Sequence, residues 1–172
     1  MVHSKAYSPL HLSSPNKRIV VNVAIKERLE PFPPGNRLYY SIEYNNTLLI
    51  ADSPSGWEFL NQPPYAGDLQ ISSQRLGNSN KSWKPVWGKR SLVKDQYNEL
   101  ILNLVESNGL GRQINLIFRA YNDGVAIRYH IPDQKYLKIF QLSSERIWFN
   151  LNRNDSLWVA NYGGFISHQE SE

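Results

Sequence analysis

Between Tyr97 and Ile131 apolar side chains recur at every second position through three successive runs, a spacing that suits strands and not helices. In the first run Leu100, Leu102 and Leu104 alternate with Ile101, Asn103 and Val105. In the second, Ile114, Leu116, Phe118 and Ala120 alternate with Gln113, Asn115, Arg119 and Tyr121. In the third, Val125, Ile127, Tyr129 and Ile131 alternate with Ala126, Arg128 and His130. Ser107-Asn108-Gly109 and Asn122-Asp123-Gly124 separate the runs with residues that tolerate positive φ, as hairpin turns require. A β-meander over Tyr97–Tyr129 therefore anchors the expected fold, with one face of each strand committed to a core.

The rest of the chain repeats the pattern in shorter pieces. Met1–His11 is polar and reads as irregular, and Leu12–Lys17 reads as a turn. Ile19, Val21, Val23 and Ile25 alternate with polar or small neighbours and predict a strand. Pro31, Pro33, Pro34 and Gly35 keep Glu27–Asn36 out of a sheet interior and predict a loop. Leu38–Tyr44 and Thr47–Ile50 predict two strands joined at Asn45-Asn46. Further strands are predicted at Gly56–Leu60 and Leu69–Leu76, punctuated by Pro63-Pro64 and by Gly77–Asn80. Lys138–Leu142, Arg146–Phe149 and Leu157–Val159 complete the expected set, ahead of a Gly-rich tail over Asn161–Glu172. Some ten short strands without a linker or an internal repeat point to one all-β sandwich.

Composition narrows the function classes. A hydrophobic share of 41% fits a globular chain of 172 residues with a real core. The 19 Lys and Arg against 15 Asp and Glu are scattered without a basic block, which argues against a nucleic-acid face. The absence of Cys excludes both a disulfide framework and a thiolate zinc site. No apolar run is long enough for a membrane-spanning helix, and no signal peptide is visible at the start. Five Trp and ten Tyr suit a sandwich core, and they are also the residues against which sugar rings pack.

Particular residues carry a resemblance. Trp83-Lys84-Pro85-Val86-Trp87-Gly88, then Tyr97-Asn98-Glu99-Leu100, then Phe118-Arg119-Ala120-Tyr121-Asn122-Asp123-Gly124 running into Val125–Tyr129, recur in a fixed order. With Leu12–Pro15 and Leu38–Ile42 at the start, this resembles the N-terminal domain of glycoside hydrolase family 97 over nearly the whole chain. The resemblance implies a super-β-sandwich of the galactose mutarotase-like type, belonging to exported enzymes that cleave α-glucosides or α-galactosides. It implies a catalytic (β/α)8 barrel downstream, a small C-terminal β-domain, and periplasmic or secreted localisation. It also implies an active-site calcium held mainly by barrel glutamates, with one glutamate lent by the sandwich. That position matches Glu170, which follows Gln169 after the Trp158–Tyr162 segment; Glu172 is the next candidate. The sequence ends two residues beyond Glu170, so the barrel and the last sandwich strands are expected to be absent from residues 1–172.

Glycoside hydrolysis needs two carboxyl groups flanking one bond, and no such pair stands out among the acidic residues. No catalytic residue is assigned. Glu99 reads as a structural contact at a strand start, and Asp123 as a turn residue. His3, His11, His130 and His168 lack metal-ligand spacing, and His130 reads as a structural strand residue. Under the resemblance Trp158, Tyr162 and His168 are candidates for the sugar site, with core packing the alternative for the two aromatics. One glutamate alone does not hold calcium, so neither tight calcium binding nor hydrolysis is expected of this chain by itself. The partner implied is an oligosaccharide bound by the parent enzyme, with self-association through exposed strand edges as a further expectation. The rival readings are a free-standing carbohydrate-binding or interaction sandwich and, more remotely, sugar mutarotation, which needs an acid–base pair.

Overall fold

The computed structural model describes residues 9–28, 35–152 and 156. Among them eleven strands form two antiparallel sheets, and there is no helix to cross a membrane. The larger sheet is built from β1 (Leu10–Ser13), β2 (Ile19–Glu27), β3 (Asn36–Tyr44), β4 (Thr47–Phe59), β5 (Gln62–Tyr65), β10 (Leu142–Ile147) and β11 (Asn150–Leu151). Its order is β1-β2-β3-β4-β10, with β5 and β11 also paired to β4. The second sheet is β6 (Leu69–Trp83), β7 (Val93–Glu106), β8 (Gln113–Tyr121) and β9 (Val125–His130), in that order.

The alternation seen in the sequence is the alternation of the core. Val21, Val23, Leu38, Tyr40 and Ile42 point inward from the larger sheet. Leu100, Leu102, Leu104, Ile114, Leu116 and Phe118 meet them from the smaller one, all at most 2% exposed. The Tyr40 and Phe118 rings, 6.0 Å apart, and the Trp57 and Tyr129 rings, 5.2 Å apart, join the layers. Polar ties close one end: the Asn98 amide donates to the Ser13 carbonyl at 2.8 Å, and the Asn16 N–H to Asn122 Oδ1 at 2.9 Å. On the side of β9 the layers part over a cleft of about 590 Å³, lined by apolar side chains including Ile50, Val125, Ile127, Ile147 and Phe149.

A second tie is ionic. Gly109 (φ 85°) and Gly111 (φ 64°) turn the β7–β8 connection back, so that the Glu106 N–H meets the Arg112 carbonyl at 3.1 Å. The buried Arg112 guanidinium then pairs with Glu106 and donates to the Pro63 and Pro64 carbonyls at 2.7 and 3.2 Å. Arg112 thereby fastens β5 of one sheet to the loop of the other.

Several boundaries differ from the sequence reading. Leu10 and His11 belong to β1 and pair with Val23 and Asn22, so the irregular segment does not extend to residue 11. Glu27 and Asn36 pair as strand ends, which shortens the expected loop; its prolines lie outside the described residues. Thr47–Ile50 and Gly56–Phe59 are parts of one strand, β4, with Leu60 in the turn beyond it; β4 pairs with β3 in its first half and with β5 and β10 in its second. Pro54 sits where the partner changes, and there its carbonyl still accepts the Trp148 N–H at 3.3 Å. Pro63-Pro64 lie within the short strand β5, and Gly77–Asn80 lie within β6, in register with Glu99–Gln96. Lys138–Gln141 is not strand, and Leu142–Ile147 is the single strand of that region. The Asn122–Gly124 turn uses no positive φ, whereas Asn45 (φ 48°) and Asn46 (φ 62°) both do, as a tight two-residue hairpin demands. The expected Leu157–Val159 strand lies outside the described residues.

Candidate functional site

The inner face of β7, β8 and β9 is committed to the core, which leaves an outer face whose side chains are set by register. In the row nearest the hairpin tip, Ser79, Tyr97 and Tyr121 are neighbours. The next row is Gly77, Glu99, Arg119 and Ala126. Below it Arg75 on β6 and Arg128 on β9 flank Ile101 and Ile117. The last row is Ser73, Asn103, Asn115 and His130. Tyr121, Glu99, Arg119, Ala126 and the two lower rows line an open groove of about 950 Å³.

Cross-strand contacts hold much of this face in place. Arg119 Nε donates to Glu99 Oε2 at 2.7 Å, and its guanidinium lies 4.3 Å from the centre of the Tyr97 ring. The Glu99 hydrogen bond, first among several causes, holds the Arg119 guanidinium above its ordinary pKa. Tyr97 and Tyr121 pack with ring centres 5.2 Å apart. Asn103 donates to Ser73 Oγ at 2.6 Å, and Asn115 lies 3.4 Å from His130 Nδ1. Arg75 and Arg128 are exposed and take part in no ion pair among the described residues. Glu99 is the one carboxylate lining the groove among the described residues, so the groove offers no acid and base pair for glycoside cleavage.

The second exposed feature is the tip of the β6–β7 hairpin. Trp83 closes β6 and Trp87 lies in the connecting loop, with Val86 95% and Trp87 88% exposed. Thus the indoles flanking Pro85 face outward in this chain.

The residues singled out from the sequence fall unevenly. Glu99 lies well inside β7 and makes its ion pair with Arg119, which fits the structural role read for it. Asp123 is an exposed turn residue, and its neighbour Asn122 makes the tie to Asn16. His11 is exposed on β1 and bonds Asn22 at 2.6 Å; His130 ends β9 at the margin of the groove. Trp158, Tyr162, His168, Glu170 and Glu172 lie outside the described residues, as does His3. Among the described residues no three His, Asp or Glu side chains converge, so these residues do not by themselves fit a calcium ion. Sequence reasoning met Glu99 and His130 one at a time and did not join the outer-face rows into a groove. Their signal was the polar partner set of the meander: Asn103, Asn115, Arg119 and Arg128.

Solved structures share this architecture. A glycoside hydrolase family 97 enzyme from Pseudoalteromonas sp. strain K8, in complex with panose, is 26% identical, with a TM-score of 0.75 over 83% of this chain. The acarbose complex of a family 97 enzyme from the same strain is 27% identical, with a TM-score of 0.73 over 83% of this chain. A beta-arabinopyranosidase matches with a TM-score of 0.71 at 21% identity over 83% of this chain, a likeness of fold. The chain spans about a fifth of the length of these enzymes, 20% and 21%. The glycosyl-hydrolase 97 N-terminal family model matches residues 12–172, and this chain belongs to that family.

Proposed function

We propose that this chain serves as the non-catalytic N-terminal sandwich of a calcium-dependent α-glycoside hydrolase acting on α-glucosides or α-galactosides. In that reading the sandwich supports a catalytic barrel, acts in the periplasm or outside the cell, and lends Glu170 to the barrel's calcium site. The observation that carries the reading is the family match over residues 12–172, joined to the likeness with an enzyme that binds panose. Two features of the chain support a non-catalytic, buttressing part. The groove holds a single, ion-paired carboxylate among its described lining residues, and the hairpin presents Trp83, Val86 and Trp87 as an apolar surface for a neighbouring domain. Calcium takes about six to eight oxygen ligands, so Glu170 contributes only within the longer polypeptide.

The test is the reading frame beyond the Glu172 codon. Continuation into a (β/α)8 barrel supports the proposal, and a stop codon overturns it in favour of a free-standing sandwich. In the longer polypeptide Glu170→Gln is expected to weaken calcium binding measured by titration calorimetry, because an amide lacks the charge that a hard cation favours. Unchanged affinity removes Glu170 from the site.

A further inference from the structure

We propose that the outer face of the β6–β9 sheet is a binding site for a short anionic oligosaccharide, one whose sugars carry carboxylates. The inference rests on this face alone.

Three observations lead to it. First, charge is unbalanced in one direction. Glu99 is neutralised by Arg119, whereas Arg75 and Arg128 stand exposed without an ion-pair partner among the described residues. A carboxylate is the natural complement, since a guanidinium presents two parallel N–H donors to its two oxygens. Second, the two arginines are separated by register and not clustered. They occupy one row on the outer strands of four, so their backbones lie roughly 14 Å apart from the strand spacing of about 4.8 Å. Guanidiniums on stems this far apart can meet carboxylates on separate units of one oligomer. Third, the space between them suits sugar rings. Ile101 and Ile117 form a narrow apolar floor between the arginines, and Asn103 and Asn115 offer amide donors and acceptors along one side.

The face is also prearranged. The Glu99–Arg119 pair, the stacking of Arg119 on Tyr97 and the Asn103–Ser73 bond fix side chains in place. Binding therefore has to order chiefly the two exposed arginines, Arg75 and Arg128, against a floor that is already fixed. A protein partner is less well served, because the apolar floor is two side chains wide and the rows around it are polar.

The experiment uses the 172-residue chain and trigalacturonate as the probe, by calorimetry at low ionic strength. Saturable binding is expected, weakened about tenfold by Arg75→Ala and again by Arg128→Ala, with circular dichroism unchanged. Arg18→Ala, at an exposed arginine in the β1–β2 connection away from this face, is expected to leave affinity as it was. Absence of binding overturns the proposal, as does equal weakening by Arg18→Ala, which marks unspecific attraction. Equal or tighter binding of maltotriose or of an oligoglutamate peptide also overturns it, assigning the face to a neutral glycan or an acidic protein surface.

Discussion

Replacing Arg112 by Met tests how far one buried charge fastens the two layers. The guanidinium is 2% exposed, its partner Glu106 has a side chain 8% exposed, and the Phe59 and Tyr65 rings lie 5.4 and 5.7 Å from its centre. Met preserves much of the volume but strands a carboxylate away from water. Breaking a buried pair this way costs about 3–5 kcal/mol. It also strips the Pro63 and Pro64 carbonyls of their donors. Against a total stability of about 5–15 kcal/mol the loss is a large fraction. For a chain of this size it corresponds to a fall in Tm of roughly 6–20 °C. In urea the midpoint falls by about 1.5–2.5 M if the slope is near ~2 kcal/mol/M.

The double variant Glu106→Leu with Arg112→Met separates the two causes. If the stranded carboxylate dominates, the double variant recovers at least about 1 kcal/mol over Arg112→Met, since apolar replacement of a whole buried pair is often neutral. If the carbonyls dominate, it does not recover, because they remain without donors in both. Equilibrium denaturation of wild type, both single variants and the double variant closes the cycle. A loss below about 1 kcal/mol for Arg112→Met, or strict additivity in the cycle, refutes the argument.

Alkaline pH should loosen the fold through its buried tyrosines. Burial pushes the Tyr40 hydroxyl up from 10.0 to about 12, and Tyr39, Tyr65 and Tyr129 shift in the same direction. The folded state then holds the proton more tightly, so this stability is complete below pH 10 and drains as pH rises towards 12, by about 2 kcal/mol for Tyr40. Melts of wild type and Tyr40→Phe should converge across that window, and a constant gap contradicts the assignment. Asn46→Val is expected to cost about 1–2 kcal/mol, because a β-branched residue resists positive φ, while Asn46→Gly should cost nothing in the same urea assay. The apolar cleft beside β9 and the edges of β6 and β9, unpaired among the described residues, predict concentration-dependent self-association by sedimentation velocity; a monomer at every concentration argues against it. Aryl α-glucosides and α-galactosides should survive incubation with this chain, and turnover that persists in a contaminant-free preparation refutes the non-catalytic reading.

The strands that the sequence revealed are those whose two faces see different surroundings. In β2, β7 and β8 one face is core and the other is not, so burial alternates residue by residue and the letters alternate with it. The strands that were misjudged break that link. Over Asp52–Gly56 β4 runs through a Ser, Pro and Gly cluster with turn chemistry, yet pairing with β3 at Ser53 and Pro54 and with β10 at Ser55 and Gly56 holds it extended. In β6, Gly77-Asn78-Ser79-Asn80 has strong turn chemistry, and only pairing with Gln96–Glu99 makes it strand. Pairing with a distant segment outweighs local preference there, because sheet propensity measures the fit to neighbours more than the backbone.

The outer-face groove was hidden for a related reason. Alternation says that Asn103, Asn115, Arg119 and Arg128 share the face opposite the core; it does not say which of them touch. Contact depends on register, and register is fixed by the lengths of the two connections. The β8–β9 turn sets Ile117 opposite Arg128, and the longer β7–β8 loop sets Ile101 opposite Ile117. A slip of two residues at the β8–β9 turn would keep the apolar side chains inward and yet move Arg128 away from Ile117, and one at the β7–β8 loop would part Ile117 from Ile101. The core therefore tolerates several arrangements of this face, and the turns select one. Asn122 bonded to Asn16 and Arg112 bonded to Glu106 hold those two turns in place, so residues that carry no part of the groove determine its geometry.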